Sequence, residues 1–86
     1  MDINKLILTV KEKIRNNIIL EKIQVEDKTF LHKKHQTHQP GKFHLKLIIH
    51  SAELKKMNKI ESTKKIYAIL SEELKKDIHS IQILIN

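Results

Sequence analysis

Residues 43–50 carry the clearest secondary-structure signal in the chain: Phe43-His44-Leu45-Lys46-Leu47-Ile48-Ile49-His50. Apolar side chains occupy every odd position, and His or Lys occupies most of the even ones. Because side chains of a β-strand point alternately to opposite faces, this period of two predicts a strand with one buried face. A sheet built on such a strand needs further apolar elements on both sides of it along the chain.

A second strand and a helix are predicted upstream. Residues 18–27 are rich in β-branched side chains, and apolar and polar residues alternate near the end of this stretch. Earlier in the chain, apolar residues recur at helical spacing, at Ile3, Leu6, Ile7, Val10 and Ile14. Asp2 or Asn4 can cap this amphipathic helix, and Asn16-Asn17 can end it.

A helix and a third strand are predicted downstream. After a short helical turn at residues 52–56, Asn58 and Glu61 resemble a capping box at the start of a helix. The predicted apolar face of this helix consists of Ile60, Thr63, Tyr67, Leu70 and Leu74, with Ile66 and Ile69 beside them. Finally Ile81, Ile83 and Ile85 alternate with Ser80, Gln82 and Leu84, which predicts the last strand.

The order helix, strand, strand, short helical turn, helix, strand predicts a single α+β domain over residues 1–86, with a three-stranded mixed sheet covered by helices. Consecutive strands joined by a loop pair antiparallel, whereas a strand–helix–strand crossover is right-handed and its strands lie parallel. The last two strands then begin at the same edge of the sheet. We therefore expect His44 and His79 at one rim, together with the loop that carries His32, His35 and His38.

The charge of the chain favours a solvated basic surface. Lys and Arg number 17 against 10 Asp and Glu, a net charge of +7. Such a surface attracts polyanions without sequence specificity, but Arg15 is the only arginine and acidic residues interrupt the basic segments. Weak nucleic-acid binding is therefore the minority interpretation. No apolar run approaches the ~18 residues of a membrane span, so the cytoplasm is the expected location.

Histidine is the only strong candidate for metal chemistry. The chain has no cysteine, so a soft-metal site must use histidine or sulfur from a partner. Residues 32–50 hold all but one of the six histidines. Because no nucleophile motif or phosphate-binding glycine loop is present, an enzyme is not predicted. A hydrolytic zinc site of His32, His35 and His79 is conceivable, but no candidate general base accompanies it.

Three pieces of the chain, in the expected order and spacing, resemble the BolA family. Residues 35–51 are similar to the family's histidine-containing loop followed by a strand of the form His-Phe-Lys/Arg-Val-x-Val-x-Ser. Residues 65–74 resemble the family helix that ends in Val/Ile-Tyr-x-x-Leu-x-x-Glu-Leu. Residues 78–81, Ile-His-Ser-Ile, resemble the Val/Ile-His-Ala-Leu that opens the last strand. In residues 62–64, Ser-Thr-Lys replaces the family's Arg-His-Arg.

The resemblance implies a class II KH-like fold and a metal site shared with another protein. Family members bind monothiol glutaredoxins and share a [2Fe-2S] cluster, to which the glutaredoxin and glutathione give sulfur. By position, the ligands implied here are His79 and a loop histidine, His35, with His32 as the alternate; the isolated chain is expected to lack the cluster. The implied role is cluster assembly, trafficking or iron regulation. Some members are described as transcriptional regulators, which keeps DNA binding as the alternative.

Other residues receive supporting roles. His44 and His50 lie on the polar face of their strand, where we expect exposed or locally hydrogen-bonded side chains. His44 is close enough to the rim to support a ligand. His38 is expected to be an exposed bystander, and Tyr67 to pack in the core with its hydroxyl group at the edge.

Overall fold

The computed structural model describes residues 2–29 and 42–86, and its elements follow the predicted order. The helices are α1 (Ile3–Asn17), α2 (Ala52–Lys55), α3 (Lys59–Ile69) and α4 (Ser71–Lys76), and the strands are β1 (Lys22–Asp27), β2 (Phe43–His50) and β3 (Ile78–Ile85). β2 is central, antiparallel to β1 and parallel to β3. The predicted α+β fold with a three-stranded mixed sheet is confirmed. No helix in the described ranges has the length and apolar character to cross a membrane.

The core lies on one face of the sheet. Leu45, Leu47 and Ile49 of β2 are at most 2% exposed, as the period of two predicts. Burying each such side chain contributes roughly 1.5–3 kcal/mol. The other buried apolar residues come from the helices and the flanking strands: Leu6, Val10, Ile14, Ile18, Ile23, Leu54, Ile66, Leu70 and Ile78. β2 is thus the strand around which the helices pack.

Helix α1 begins and ends through identifiable hydrogen bonds. Oδ1 of Asp2 accepts from the backbone N–H of Lys5 at 2.9 Å, which is the predicted N-cap. At the other end, the N–H of Ile18 donates to the carbonyl of Ile14 at 2.9 Å. Because Ile18 completes the helix and is buried, the chain needs several more residues to reach the sheet. β1 therefore begins at Lys22, and the predicted start at residue 18 was too early.

The helix predicted after Asn58 is divided at Leu70, where φ is −100° and ψ is 19°. This bend precedes α4, which packs against β3. Leu70 is buried as predicted, and Ile66, beside the predicted face, is buried too. The buried residues of α3 are Ser62 and Ile66, whereas Ile60 is 68% and Tyr67 44% exposed. The predicted core position of Tyr67 is therefore wrong. Ser62 fits inside because its hydroxyl group donates to a backbone carbonyl of its own helix.

An ion pair joins the first helix to the last one. Nζ of Lys13 on α1 lies 2.7 Å from Oε2 of Glu73 on α4, and 3.6 Å from Oε2 of Glu72. The Glu73 side chain is only 7% exposed, whereas Lys13 is 34% exposed. The hydrogen bond to Glu73 raises the pKa of Lys13 above its ordinary value. α4 leads directly into β3, so this pair helps to fix the start of the last strand.

The raised pKa of Lys13 predicts a loss of stability at high pH. Below the ordinary pKa of 10.5 the ammonium is charged in both folded and unfolded chains, so its contribution is fully present. As pH rises through the higher folded-state pKa, the folded chain loses that charge and the contribution disappears. Thermal unfolding followed from neutral pH to about pH 11.5 should show a decline above the ordinary pKa that is smaller in Lys13→Met. Equal declines would contradict this account; solvent screening keeps the difference small.

Candidate metal centre

A β-bulge presents His79 near the start of β3. Phe43 pairs with Ile78, but the next residue, His44, pairs with Ser80, so the register between β2 and β3 skips His79. An extra residue in a strand re-aims the side chains around it. Ile78 faces the core at 1% exposure, whereas His79 is exposed. The imidazole of His79 is therefore accessible to a partner or a metal ion.

His44 lies beside His79 and takes part in three hydrogen bonds. Its Nδ1 is 2.6 Å from Oγ of Ser80 on β3. Its backbone N–H donates to Oγ1 of Thr29 at 3.1 Å, and its carbonyl accepts from the N–H of Lys28 at 2.7 Å. The side chain is 6% exposed. The prediction of a local hydrogen bond is confirmed, but His44 is buried rather than exposed.

The rings of His44 and His79 touch. Their centroids are 4.9 Å apart and the planes are tilted by 58°. The convergence of these two histidines at one rim, predicted from strand order and handedness, is confirmed. The predicted loop ligands His35 and His32 lie outside the described residues, as does His38.

The described residues on either side of the loop belong to this rim. Thr29 bonds to His44, and Lys42 directly precedes Phe43, whose N–H donates to the carbonyl of Asp77 at 2.9 Å. Both described ends of the histidine-containing segment are therefore anchored next to His79. This anchoring places the described flanks of residues 30–41 at the rim.

Asp27 and Thr29 form a turn that the sequence interpretation missed. Oδ1 of Asp27 accepts from the backbone N–H of Thr29 at 3.0 Å and also from the Thr29 hydroxyl group. Asp commonly bonds to the backbone two residues later, so Asp-x-Thr at the end of a strand was a readable signal. Ser80 was also missed, because its role depends on the bulge register.

Lysines lie on the surface next to the histidines, and one of them is paired with a carboxylate. Nζ of Lys28 lies 3.4 Å from Oε1 of Glu26, and Nζ of Lys42 donates to the carbonyl of Lys75 at 3.5 Å. A depression of about 340 Å³ opens beside the ring of His44, lined by Lys28, His44, Leu45, Lys46, Ser80, Ile81 and Gln82. Within residues 2–29 and 42–86, no three His, Asp or Glu side chains converge as a set of metal ligands.

Comparison with known proteins gives a consistent result. The family model described as BolA-like protein matches residues 14–86. A curated relative from Haemophilus influenzae, named DNA-binding transcriptional regulator BolA, is 28% identical over 72 residues, which cover 84% of this chain and 67% of the relative.

Solved structures show the same fold. The BolA domain of SufE1 from Arabidopsis thaliana aligns with a TM-score of 0.78 at 24% identity, covering 92% of this chain and 87% of that one. BolA1 from Arabidopsis thaliana aligns with a TM-score of 0.73 at 22% identity, covering 90% and 85%. Since the family model matches most of its length, the chain belongs to the BolA-like protein family.

Proposed function

We propose that the chain is an adaptor, not an enzyme, that binds a monothiol glutaredoxin and holds a [2Fe-2S] cluster jointly with it. The observation that supports this function best is the exposed His79 on its bulge, at the rim where both described ends of the histidine-containing segment are anchored. A ligand in that position is accessible to a second protein. The proposed setting is the cytoplasm, in cluster assembly, cluster trafficking or iron regulation.

The residues of the chain fit one side of such a cluster. His79 provides one imidazole, and a loop histidine provides the other, with His35 preferred and His32 as the alternate. His35 follows Thr29 by six residues and His32 follows it by three. An extended chain therefore reaches at most about 20 Å from Thr29 to His35 and about 10 Å from Thr29 to His32. Imidazole nitrogen is a suitable ligand for cluster iron and raises its reduction potential relative to thiolate.

The partner would complete the site. The chain has no cysteine, so thiolate ligands must come from the glutaredoxin and from glutathione. Thiolate-bound clusters and glutathione carboxylates are anionic, and the lysines at the rim attract anions. His79 would bind the cluster, and His44, which bonds to Ser80, would pack against the His79 ring. A bound cluster would supply redox-active iron that could be passed on or sensed.

Mixing experiments test this function. The protein is titrated into cluster-loaded monothiol glutaredoxin while visible absorption and circular dichroism are recorded. A saturable change with one chain per glutaredoxin is expected, because imidazole would replace a ligand on iron. Separate His35→Ala and His32→Ala variants then identify the loop ligand, since only one should prevent the change. If the spectra remain identical to those of cluster-loaded glutaredoxin alone, the shared cluster is ruled out.

His44 should act as a positioning residue for His79. We expect His44→Ala to weaken cluster retention by roughly 10–100-fold, the usual effect of removing a residue that orients a metal ligand. His50→Ala is the matched control, because His50 lies on the same strand and the same face. The amide resonance of His79 should shift in His44→Ala and not in His50→Ala. Equal cluster retention in both variants would show that His44 does not position the ligand.

DNA binding is the second candidate function. The curated relative carries the name of a DNA-binding transcriptional regulator, and the net charge of this chain is +7. Binding measured on two duplexes of different sequence, across a range of salt concentrations, separates the alternatives. A preference for one sequence at moderate salt would support a regulator, whereas affinity that vanishes with salt for both duplexes indicates only electrostatic attraction.

A further inference from the structure

The two outer strands of the sheet have opposite character. The outer strand β1 carries charged residues at Lys22, Glu26 and Asp27, which discourage pairing with another chain. Residues 78–86, which contain β3, form the longest run of the sequence without Asp, Glu, Lys or Arg. They also contain no proline. β3 therefore lacks the charge and the proline that often protect an exposed sheet edge, and its β-bulge lies at His79, before the segment 81–85.

The backbone of β3 offers hydrogen-bonding groups on its outer side. The N–H of Asn86 donates to the carbonyl of Ile49, and the carbonyl of Asn86 accepts from the N–H of Ser51, so both groups of Asn86 point toward β2. Alternate residues of a strand direct these groups to opposite sides. Ile81, Ile83 and Ile85 therefore point their N–H and carbonyl groups away from β2, where the described part of the chain has no further strand.

The same three isoleucines are incompletely covered on the core face. Ile81, Ile83 and Ile85 are only partly buried, whereas the β2 residues beside them are at most 2% exposed. A groove of about 380 Å³ runs along the C-terminal half of β3. Its lining is apolar at Leu54, Met57, Ile83, Leu84 and Ile85 and polar at Lys55, Lys59, Ser62 and Thr63. Apolar surface and unpaired backbone thus coincide along one edge.

We propose that this edge binds a second copy of the chain, through antiparallel pairing of β3 with β3. In the register centred on Ile83, Ile83 faces its own symmetry mate and Ile81 faces Ile85. This register gives three pairs of residues whose backbone N–H and carbonyl groups point away from β2. Each pair places isoleucine opposite isoleucine: Ile81 with Ile85, Ile83 with Ile83, and Ile85 with Ile81. The segment is thus complementary to itself about a two-fold axis. It contains no Asp, Glu, Lys or Arg, so the axis places no like charges opposite each other within the paired strands.

The dimer would be closed and would leave the metal site accessible. The β3 edge of each copy pairs with the β3 edge of the other, so neither edge stays open. The resulting six-stranded sheet has the charged strand β1 at both of its ends. His79 lies four residues from Ile83, so the two histidines would stand roughly 26 Å apart at opposite ends of the paired strands. The proposal does not depend on the cluster, and it can fail while the proposed function stands.

Charge variants at the two-fold axis test the proposal. Wild type, Ile83→Lys and Ile83→Glu are compared by analytical ultracentrifugation from micromolar to millimolar concentration, with circular dichroism to verify folding. Wild type should show a reversible monomer–dimer equilibrium. Each variant alone should weaken it at least about tenfold, because like charges then face each other. An equimolar mixture of the two should regain dimer, because Lys then faces Glu.

Two further variants control for nonspecific effects. Gln24→Lys places a new charge on the exposed face of β1 and should leave the equilibrium unchanged. Ile83→Cys introduces the only thiol of the chain, and oxidation should give a disulfide-linked dimer, since facing Cα atoms lie about 5.5 Å apart. A wild type that stays monomeric throughout would overturn the proposal, as would a mixture of the charge variants that fails to associate.

Discussion

Replacing His79 with alanine is expected to abolish the spectral change that the wild-type chain produces on cluster-loaded glutaredoxin. His79 is the exposed imidazole that the β-bulge places at the rim, and alanine leaves no donor atom there. Removal of a residue that merely orients a ligand costs roughly 10–100-fold in metal affinity. Loss of the ligand itself should exceed the upper end of that range.

The His79→Ala experiment needs a control for folding and for partner binding. The side chain is exposed, so the thermal unfolding temperature should stay close to that of the wild type. Calorimetric titration with apo glutaredoxin reports protein–protein contact without the cluster. A cluster spectrum that still changes in His79→Ala would refute the ligand assignment, even if the partnership were real.

Replacing Leu47 with alanine should have the largest effect on stability. Leu47 is 0% exposed at the middle of β2, where it pairs with Val25 on one side and Ile83 on the other. A cavity at such a position costs about 2–5 kcal/mol, a large part of the roughly 5–15 kcal/mol of a typical domain. Each kcal/mol lowers the unfolding temperature of a chain of this size by about 4–8 °C.

Chemical denaturation followed by circular dichroism measures this effect. Gln24→Ala is a matched control on the neighbouring strand, because Gln24 is exposed, and it should change stability by less than about 0.5 kcal/mol. Similar midpoints for Leu47→Ala and the wild type would mean that β2 is not the central element of the core.

The central strand and the topology could be predicted because local patterns determine them. The alternation in residues 43–50 specifies a buried face in any sheet, and the handedness of the crossover places His44 and His79 at one rim. The bend at Leu70 could not be predicted in the same way. It depends on how α4 packs against β3 and on the contact of Glu73 with Lys13, which no local periodicity contains.

The candidate site also has one part that the sequence predicts and one part that it does not. His79 follows from strand order and from the resemblance, since both depend on its position in the sequence. The burial of His44 and the part played by Ser80 depend on the bulge, which shifts the register by one residue and brings the two side chains within 2.6 Å. Alternation alone contains no such shift, so it predicted an exposed or locally hydrogen-bonded His44 and could not predict that the side chain is buried.

Pulsed electron paramagnetic resonance tests the central claim most directly. The chain is labelled with ¹⁵N only in its histidines, combined with unlabelled cluster-loaded glutaredoxin and glutathione, and reduced so that the cluster is paramagnetic. Histidine ligation from this chain predicts strong ¹⁵N hyperfine couplings that are lost in His79→Ala and persist in His50→Ala. A reduced complex without ¹⁵N couplings would contradict the claim that this chain provides a cluster ligand.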